Sequence, residues 1–258
     1  MNKVSYGTWL TIYSEAVAEL LSNAGYEWIT IDLEHTPITL SEAEKLIRVI
    51  DLCGVKPFVR VSSNNASEIK KVLDFGAKGI IIPMINNVDD VKEAIDSCFY
   101  PPAGSRGMGL YRAQGYGDFN KKNKYINKDA HQIELYINIE SKEAIENIDS
   151  IFDSDISGYF LGPYDLSASI GSPGKFDTLE FMDLEKKVIK AAAKHNIKEG
   201  IHVVEPSREE LIEKQSFGYD LIAFSVDFRM LDSIARMPFE NELDAWSYTC
   251  TLGIFSFS

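Results

Sequence analysis

The chain has 258 residues, 45% of them apolar and 25% charged, with a formal net charge of −13. That composition suits one sizeable globular core, and the acidity excludes broad electrostatic attraction to nucleic acid or to an anionic membrane. The N-terminal MNKVSYGTWL lacks the apolar stretch of a signal peptide, and no apolar run is long enough to span a bilayer.

The three cysteines, Cys53, Cys98 and Cys250, follow no zinc or redox spacing, so reduced thiols in a cytoplasmic protein are expected. The first apolar run, GTWLTI (7–12), precedes a helical pattern over 14–25 in which Ser14 is the N-cap and Gly25 the stop. WITIDL (28–33) follows and runs into Asp32, Glu34 and His35. A helix over 39–54 comes next, with Ser41 and Glu44 as its capping box and Gly54 closing it. PFVRV (57–61) carries Arg60 inside an apolar run, and helical patterns over 67–79 and 88–99 flank GIIIPMI (79–85). Residues 100–131, rich in Gly, Tyr, Arg and Lys, form a long loop after the fourth strand, of the kind that is usually functional or mobile. IELYINI (133–139), GYFLG (158–162), EGIHVV (199–204) and DLIAFSV (220–226) complete the runs, with helices over 184–197 and 207–218. The tail NELDAWSYTCTLGIFSFS is apolar for a terminus and is expected to pack on the barrel or on a neighbouring subunit. Residues 236–258 are thus read as an oligomerisation segment of a single domain over 1–258.

Continuous apolar runs alternating with amphipathic helices describe parallel strands buried on both faces. Eight such units in this length predict an α/β fold, the (β/α)₈ TIM barrel. A doubly wound open sheet is the competitor, but the first strand–helix turn, TIYSEAV, has no dinucleotide-binding glycines.

Barrel chemistry sits at the C-terminal ends of strands. Those ends present Asp32, Glu34 and His35, then Arg60, Asn138 with Glu140, Asp165, Glu205 and Asp227. Strand ends one and four (Thr11, Met84) contribute little. An Asp32–His35 pair would suit general acid–base work, because a carboxylate fixes the imidazole tautomer; its bland reading is a simple loop hydrogen bond. Glu34 is read evenly as a wall partner or a functional acid. Arg60, unpaired, would be costly in an apolar strand and must meet a carboxylate of the protein or of a substrate. Glu140 and Asp165 end adjacent strands and could share Mg²⁺ or Mn²⁺, or else be ordinary rim acids. His195 reads as a helix-end residue, His202 as a satisfied core histidine, and His131 lies in the insertion.

GTWL (7–10), AGYEWITIDLEH (24–35), PFVRVSS (57–63), LDFGAKGIIIPMI (73–85), YPPAGSRG (100–107), INIES (137–141) and GPYDLSASIG (162–171) together resemble the HpcH/HpaI family of metal-dependent class II pyruvate aldolases. The resemblance covers roughly residues 5–235 and implies a (β/α)₈ barrel that assembles as a homo-oligomer, commonly a hexamer. It implies a carbon–carbon lyase making or cleaving a 4-hydroxy-2-oxo acid from pyruvate and an aldehyde. It assigns the divalent ion to Glu140 and Asp165, the enolate oxygen to Arg60, and proton transfer to His35 oriented by Asp32. Substrate contacts fall on Arg60, Asn138, Gly162 and Tyr164, with backbone amides around Tyr164 and Asp165 taking the pyruvate carboxylate. Asn138 stands where the family usually has glutamine, Tyr164 where alanine is frequent, and Thr36 where glycine is common. The alternative on the same scaffold is condensation of acetyl-CoA with oxaloacetate, for which Arg106, Arg112, Lys121, Lys122 and Lys124 would be the CoA contacts. A non-catalytic scaffold is a further rival.

Overall fold

The structure, a computed structural model, describes residues 3–239; most of the apolar tail, from 240 to 258, and Cys250 with it, lies outside the described residues. Eight parallel strands close into a barrel in chain order. They are β1 (Ser5–Leu10), β2 (Trp28–Asp32), β3 (Lys56–Arg60), β4 (Gly79–Ile82), β5 (Glu134–Ile139), β6 (Gly158–Leu161), β7 (Lys198–Val203) and β8 (Leu221–Val226). Each coincides with an apolar run of the sequence, and β1 closes the ring against β8. Among the described residues, no helix is long and apolar enough to cross a membrane.

The helices start and stop where local chemistry dictates. Ser14 accepts the Val17 N–H, Asn65 caps Ala66–Phe75, and Gly76 ends that helix at φ 111°, a left-handed conformation that suits a residue without Cβ. The capping box of Leu40–Leu52 is Thr39 with Glu42, not Ser41 with Glu44. Thr39 is the last extended residue (φ −82°, ψ 161°), so its hydroxyl, and not that of Ser41 already within the first helical turn, meets the free amides. The helix expected over 184–197 begins earlier, at Leu179, capped by Thr178.

Side-chain alternation divides each strand between two cores. Ile29, Ile31, Val59, Ile80, Ile82, Leu135 and Ile137 face outward into the layer beneath the helices. The opposite face carries Trp28, Phe58, Tyr136 and Phe160 into the barrel lumen, with Trp28 and Phe58 stacked at 5.3 Å. Such rings fit because the adjoining strand carries glycine at the paired position. A Cβ on Gly7 would lie 2.1 Å from the Trp28 ring, and one on Gly79 2.5 Å from Phe58. The aromatic layer therefore plugs the lumen and forms the floor beneath the barrel mouth.

The long segment lies between the fourth and fifth strands as expected, but it is not all loop. It follows helix Val88–Cys98 and contains a helix of its own, Phe119–Asn127, so it joins a helix to β5 at the N-terminal face of the barrel. Arg106 is buried there, bonded to Asp74 at 2.6 Å and to the Tyr125 hydroxyl at 3.1 Å. Arg112 pairs with Asp51 and donates to the Phe75 carbonyl at the ends of two helices. These arginines are structural ties.

Candidate active site

The alternation that aims aromatic rings into the lumen aims the next residues at its C-terminal mouth. In steps of two, Trp28 and Thr30 lead to Asp32, Phe58 to Arg60, and Tyr136 to Asn138 and Glu140. The register places Asp32 beside Arg60 on adjoining strands. Arg60 Nε and Nη2 each donate to one Asp32 oxygen at 2.8 Å, a bidentate pair with Asp32 only 2% exposed. Arg60 Nη1 lies 3.2 Å from Glu34 Oε2, and the guanidinium sits 4.5 Å above the Trp9 ring. Burial opposes the charge on Arg60, but the Asp32 bonds and the charges of Asp32, Glu34 and Glu140 outweigh it and raise its pKa.

This arrangement corrects the expectation that Asp32 orients His35. Both oxygens of Asp32 are engaged by Arg60, and Oδ1 also accepts the Glu34 N–H at 3.0 Å. His35 is exposed at the mouth, and the nearest carboxylate to its Nε2 is Glu34, at 3.6 Å. Burial lifts the Glu34 carboxyl above its ordinary range; Arg60 pulls it down and Glu140 pushes it up.

Glu140, 4% exposed, accepts the Met84 N–H at 2.6 Å and an Asn138 Nδ2–H at 3.1 Å. Burial raises its pKa, the Met84 N–H opposes this, and the charge of Asp165 adds to it. Asp165 stands in the first turn of helix Pro163–Ser169, beyond β6. Gly162, just before that helix, packs on Glu140: a Cβ there would lie 2.8 Å from the Glu140 Cβ. Among the described residues neither Glu140 nor Asp165 takes part in an ion pair, and no cluster of three or more His, Cys, Asp or Glu side chains could hold a metal. Two adjacent carboxylates lacking a cation fit a hard divalent ion whose remaining ligands are oxygens of substrate and water.

Two connected cavities open at the mouth. One, of about 350 Å³, is bounded by Glu140, Asp165, Asn138, Gly162 and Arg60. The other, of about 580 Å³, spreads over Ile12, Pro37, Val226 and Phe228. Trp9, His35, Arg60, Tyr164, His202 and Val204 border both. All the predicted site residues, Asp32, His35, Arg60, Asn138, Glu140, Gly162, Tyr164 and Asp165, therefore meet at one place. Tyr164 is 60% exposed and braced edge-on against Phe176 at 5.1 Å.

The sequence reading missed three contributors. Trp9 lies between Arg60 and His202, stacked on the latter at 5.3 Å. His202 is no mere core residue: it borders both cavities, while its Nε2 lies 3.0 Å from the Ser225 carbonyl. Burial pushes its pKa down to about 4, so the ring is neutral at neutral pH. The alternation that sends Gly200 toward Phe160 in the lumen could have identified His202 two residues on. Met84, dismissed as inert, serves through its backbone; its φ of 55° is the unusual conformation that turns its N–H toward Glu140. Of the other rim acids, Asp227 accepts from the Thr11 and Ile12 amides at 2.9 and 2.7 Å, and Glu205 pairs with Arg229.

The profile of the HpcH/HpaI aldolase/citrate lyase family matches residues 5–228. A 2-keto-3-deoxy-L-rhamnonate aldolase of Klebsiella pneumoniae is 34% identical over 227 residues, covering 86% of this chain and 82% of its own length. A 4-hydroxy-2-oxo-heptane-1,7-dioate aldolase of Shigella sonnei is 38% identical over 169 residues, 65% of this chain and 64% of that protein. Among solved structures, an HpcH/HpaI aldolase/citrate lyase family protein of Burkholderia cenocepacia superposes with a TM-score of 0.86 at 27% identity, covering 93% of this chain and 94% of that one. The citrate synthase SbnG superposes at 0.76 with 23% identity, covering 97% and 94%, a likeness of fold alone.

Proposed function

The chain belongs to the HpcH/HpaI aldolase/citrate lyase family and is an aldolase, a carbon–carbon lyase; on that premise we propose that it forms or cleaves a 4-hydroxy-2-oxo acid from pyruvate and an aldehyde. The observation that carries this reading is the Glu140–Asp165 carboxylate pair facing Arg60 across one cavity. A divalent ion such as Mg²⁺ or Mn²⁺, held by Glu140 and Asp165, would supply Lewis-acid polarisation of the 2-oxo group.

The chain's own residues account for the rest. The amides of Tyr164 and Asp165, in the first turn of Pro163–Ser169, precede the first intrahelical bond, Leu166 N–H to the Gly162 carbonyl, and can take the keto acid's carboxylate. Arg60 keeps one N–H on each terminal nitrogen beyond those used by Asp32 and Glu34, and these meet the 2-oxo oxygen as charge develops there. In cleavage, His35 accepts the C4 hydroxyl proton, directly or through water. The C3–C4 bond breaks, its electron pair moves to the 2-oxo oxygen opposite Arg60, and the aldehyde departs. Protonation at C3 then gives pyruvate. Asn138, bonded to Glu140 Oε2, orients that carboxylate. The acetyl-CoA alternative loses its support, since Arg106 and Arg112 are tied into the opposite end of the barrel. Lys124 likewise borders a cavity among Lys56, Lys78 and Lys198 at the strand starts, on the helix that also carries Lys121 and Lys122.

The test is deuterium exchange into the pyruvate methyl group, followed by NMR in D₂O with Mg²⁺ or Mn²⁺. Exchange that is lost with EDTA and in Glu140→Gln supports the reading. Absence of exchange in folded, metal-supplemented protein overturns it.

A further inference from the structure

The cavity of about 580 Å³ extends from His35 and Arg60 away from Glu140 and Asp165, so under the reading above it receives the aldehyde portion of the substrate. Its walls are Trp9, Ile12, Pro37, Val204, Val226 and Phe228. Its two threonine hydroxyls are committed to the protein, which leaves the exposed His35 ring and Tyr164 hydroxyl at its border as polar groups without a hydrogen bond among the described residues. The Thr11 hydroxyl donates to Asp227, and the Thr36 hydroxyl donates to the Asp32 carbonyl. Among the described residues no lysine borders the cavity, and the one arginine there, Arg60, has its charge opposed by Asp32 and Glu34. A second carboxylate on the aldehyde would find no free cation among the described lining residues and would approach Asp32. A chain of hydroxyls would find threonine donors already used and could bond only at the exposed border, to His35 and Tyr164. An apolar chain loses nothing there and buries its methylenes against the walls.

We infer that the aldehyde partner is an uncharged, apolar one, an aliphatic chain of several carbons in preference to a carboxylated or polyhydroxylated aldehyde. This rests on the aldolase reading and specifies the second substrate. Discrimination works through unmet polar groups: a site rejects a charge it cannot pair far more strongly than it rejects a missing methylene.

The experiment measures kcat/KM for aldol addition to saturating pyruvate with acetaldehyde, butanal, hexanal, succinic semialdehyde and glyceraldehyde. The expected result is a rise of about fourfold per added methylene until the cavity is filled. Succinic semialdehyde, which matches butanal in carbon number, should fall at least about tenfold below it. Phe228→Lys, which places a cation at the half-exposed mouth, should shift that ratio toward succinic semialdehyde by a further factor of about ten. A wild-type preference for succinic semialdehyde or glyceraldehyde overturns the inference. Pyruvate methyl exchange needs no aldehyde, so exchange with the wrong order of acceptors sinks the apolar inference alone, and absent exchange sinks the aldolase reading. In that second case saturation-transfer NMR on EDTA-treated protein still decides the cavity's character. Transfer to 1-hexanol and not to 4-hydroxybutyrate, reduced in Phe228→Lys, sustains it, and the reverse order refutes it.

Discussion

Replacing Asp32 by Asn removes one charge from the most buried ion pair at the barrel mouth. Asp32 and Arg60 have side-chain exposures of 3% and 15% and share two hydrogen bonds of 2.8 Å. Breaking a buried pair by removing one partner costs about 3–5 kcal/mol. Asn keeps the shape and one acceptor, and Glu34 still lies 3.2 Å from Nη1, so a loss of about 2–3 kcal/mol is expected for Asp32→Asn. Arg60→Gln leaves the Asp32 carboxylate with only the Glu34 N–H and should cost about 3 kcal/mol. The double variant removes both charges together and should cost about 3 kcal/mol, well below the sum, giving a coupling energy of about 2–3 kcal/mol. Urea unfolding followed by tryptophan fluorescence and by circular dichroism measures all four corners of the cycle. Additivity within about 0.5 kcal/mol would refute the pair as the organising contact of the mouth. Kinetics supply an independent reading. Asp32 makes no bond to His35, so Asp32→Asn should lower kcat through a misplaced Arg60 while leaving the acidic limb of the pH–rate profile in place. A limb displaced by about one pH unit would restore Asp32 as the partner of His35.

Glu140→Gln should stabilise the metal-free protein by about 1 kcal/mol, because a buried carboxylate facing Asp165 is relieved, while lowering pyruvate methyl exchange at least about a hundredfold; thermal unfolding and NMR read the two effects. Gly162→Ala drives a Cβ to 2.8 Å from the Glu140 side chain, so calorimetric affinity for Mn²⁺ should fall about tenfold or more with the helix content unchanged. His202 titrates at about 4 when folded and 6.5 when free, so between those values the unfolded chain binds a proton that the folded one refuses. Stability should therefore fall as pH drops from 6.5 to 4, by at most about 3 kcal/mol, and His202→Asn should flatten that slope in urea titrations. Glu199 behaves oppositely: burial and then Asp220 raise it to about 7 from 4.5, so stability falls as pH climbs through that window. Discounted for its partial exposure, Glu199→Gln should gain about 1–2 kcal/mol at pH 8 and little at pH 4.

The barrel was legible because strands buried on both faces leave uninterrupted apolar runs, and each of the eight runs became a strand within a few residues of its expected place. The gathering of ionisable groups at one rim followed from the same alternation. Their partnerships were not legible. Asp32 and His35 are near in sequence, but His35 lies past the end of β2, where period-two geometry no longer applies, and the true partner of Asp32 arrives from β3 through strand register. His202 was read as core because a histidine flanked by valine and isoleucine looks buried; only its phase relative to Gly200 shows that it faces the lumen. The length and composition of the 100–131 segment suggest a functional or mobile loop. Its arginines instead meet Asp51 and Asp74 on the outer helices, contacts across dozens of residues that no local pattern encodes.

Charge at the rim separates structural acids from available ones. Asp227 is satisfied by three backbone amides and a hydroxyl, Glu205 by Arg229, and Asp32 by both prongs of Arg60. Glu34 takes the remaining side of the same guanidinium. Among the described residues Glu140 and Asp165 have no cation; Glu140, the buried one, has two hydrogen bonds, and both lie on the wall of a cavity. Desolvation makes such a pair costly unless something positive completes it, and two negative charges call for two positive ones. Arg60 borders the same space, so under the proposed reading an acidic protein presents a local centre where an anionic keto acid would be held once those carboxylates are neutralised. Beyond that centre the walls turn apolar and the Thr11 and Thr36 hydroxyls point back into the protein. Charge is concentrated where a carboxylate and an oxo group would bind and is withheld where the aldehyde chain would lie, a division that follows from how each rim acid is already bonded.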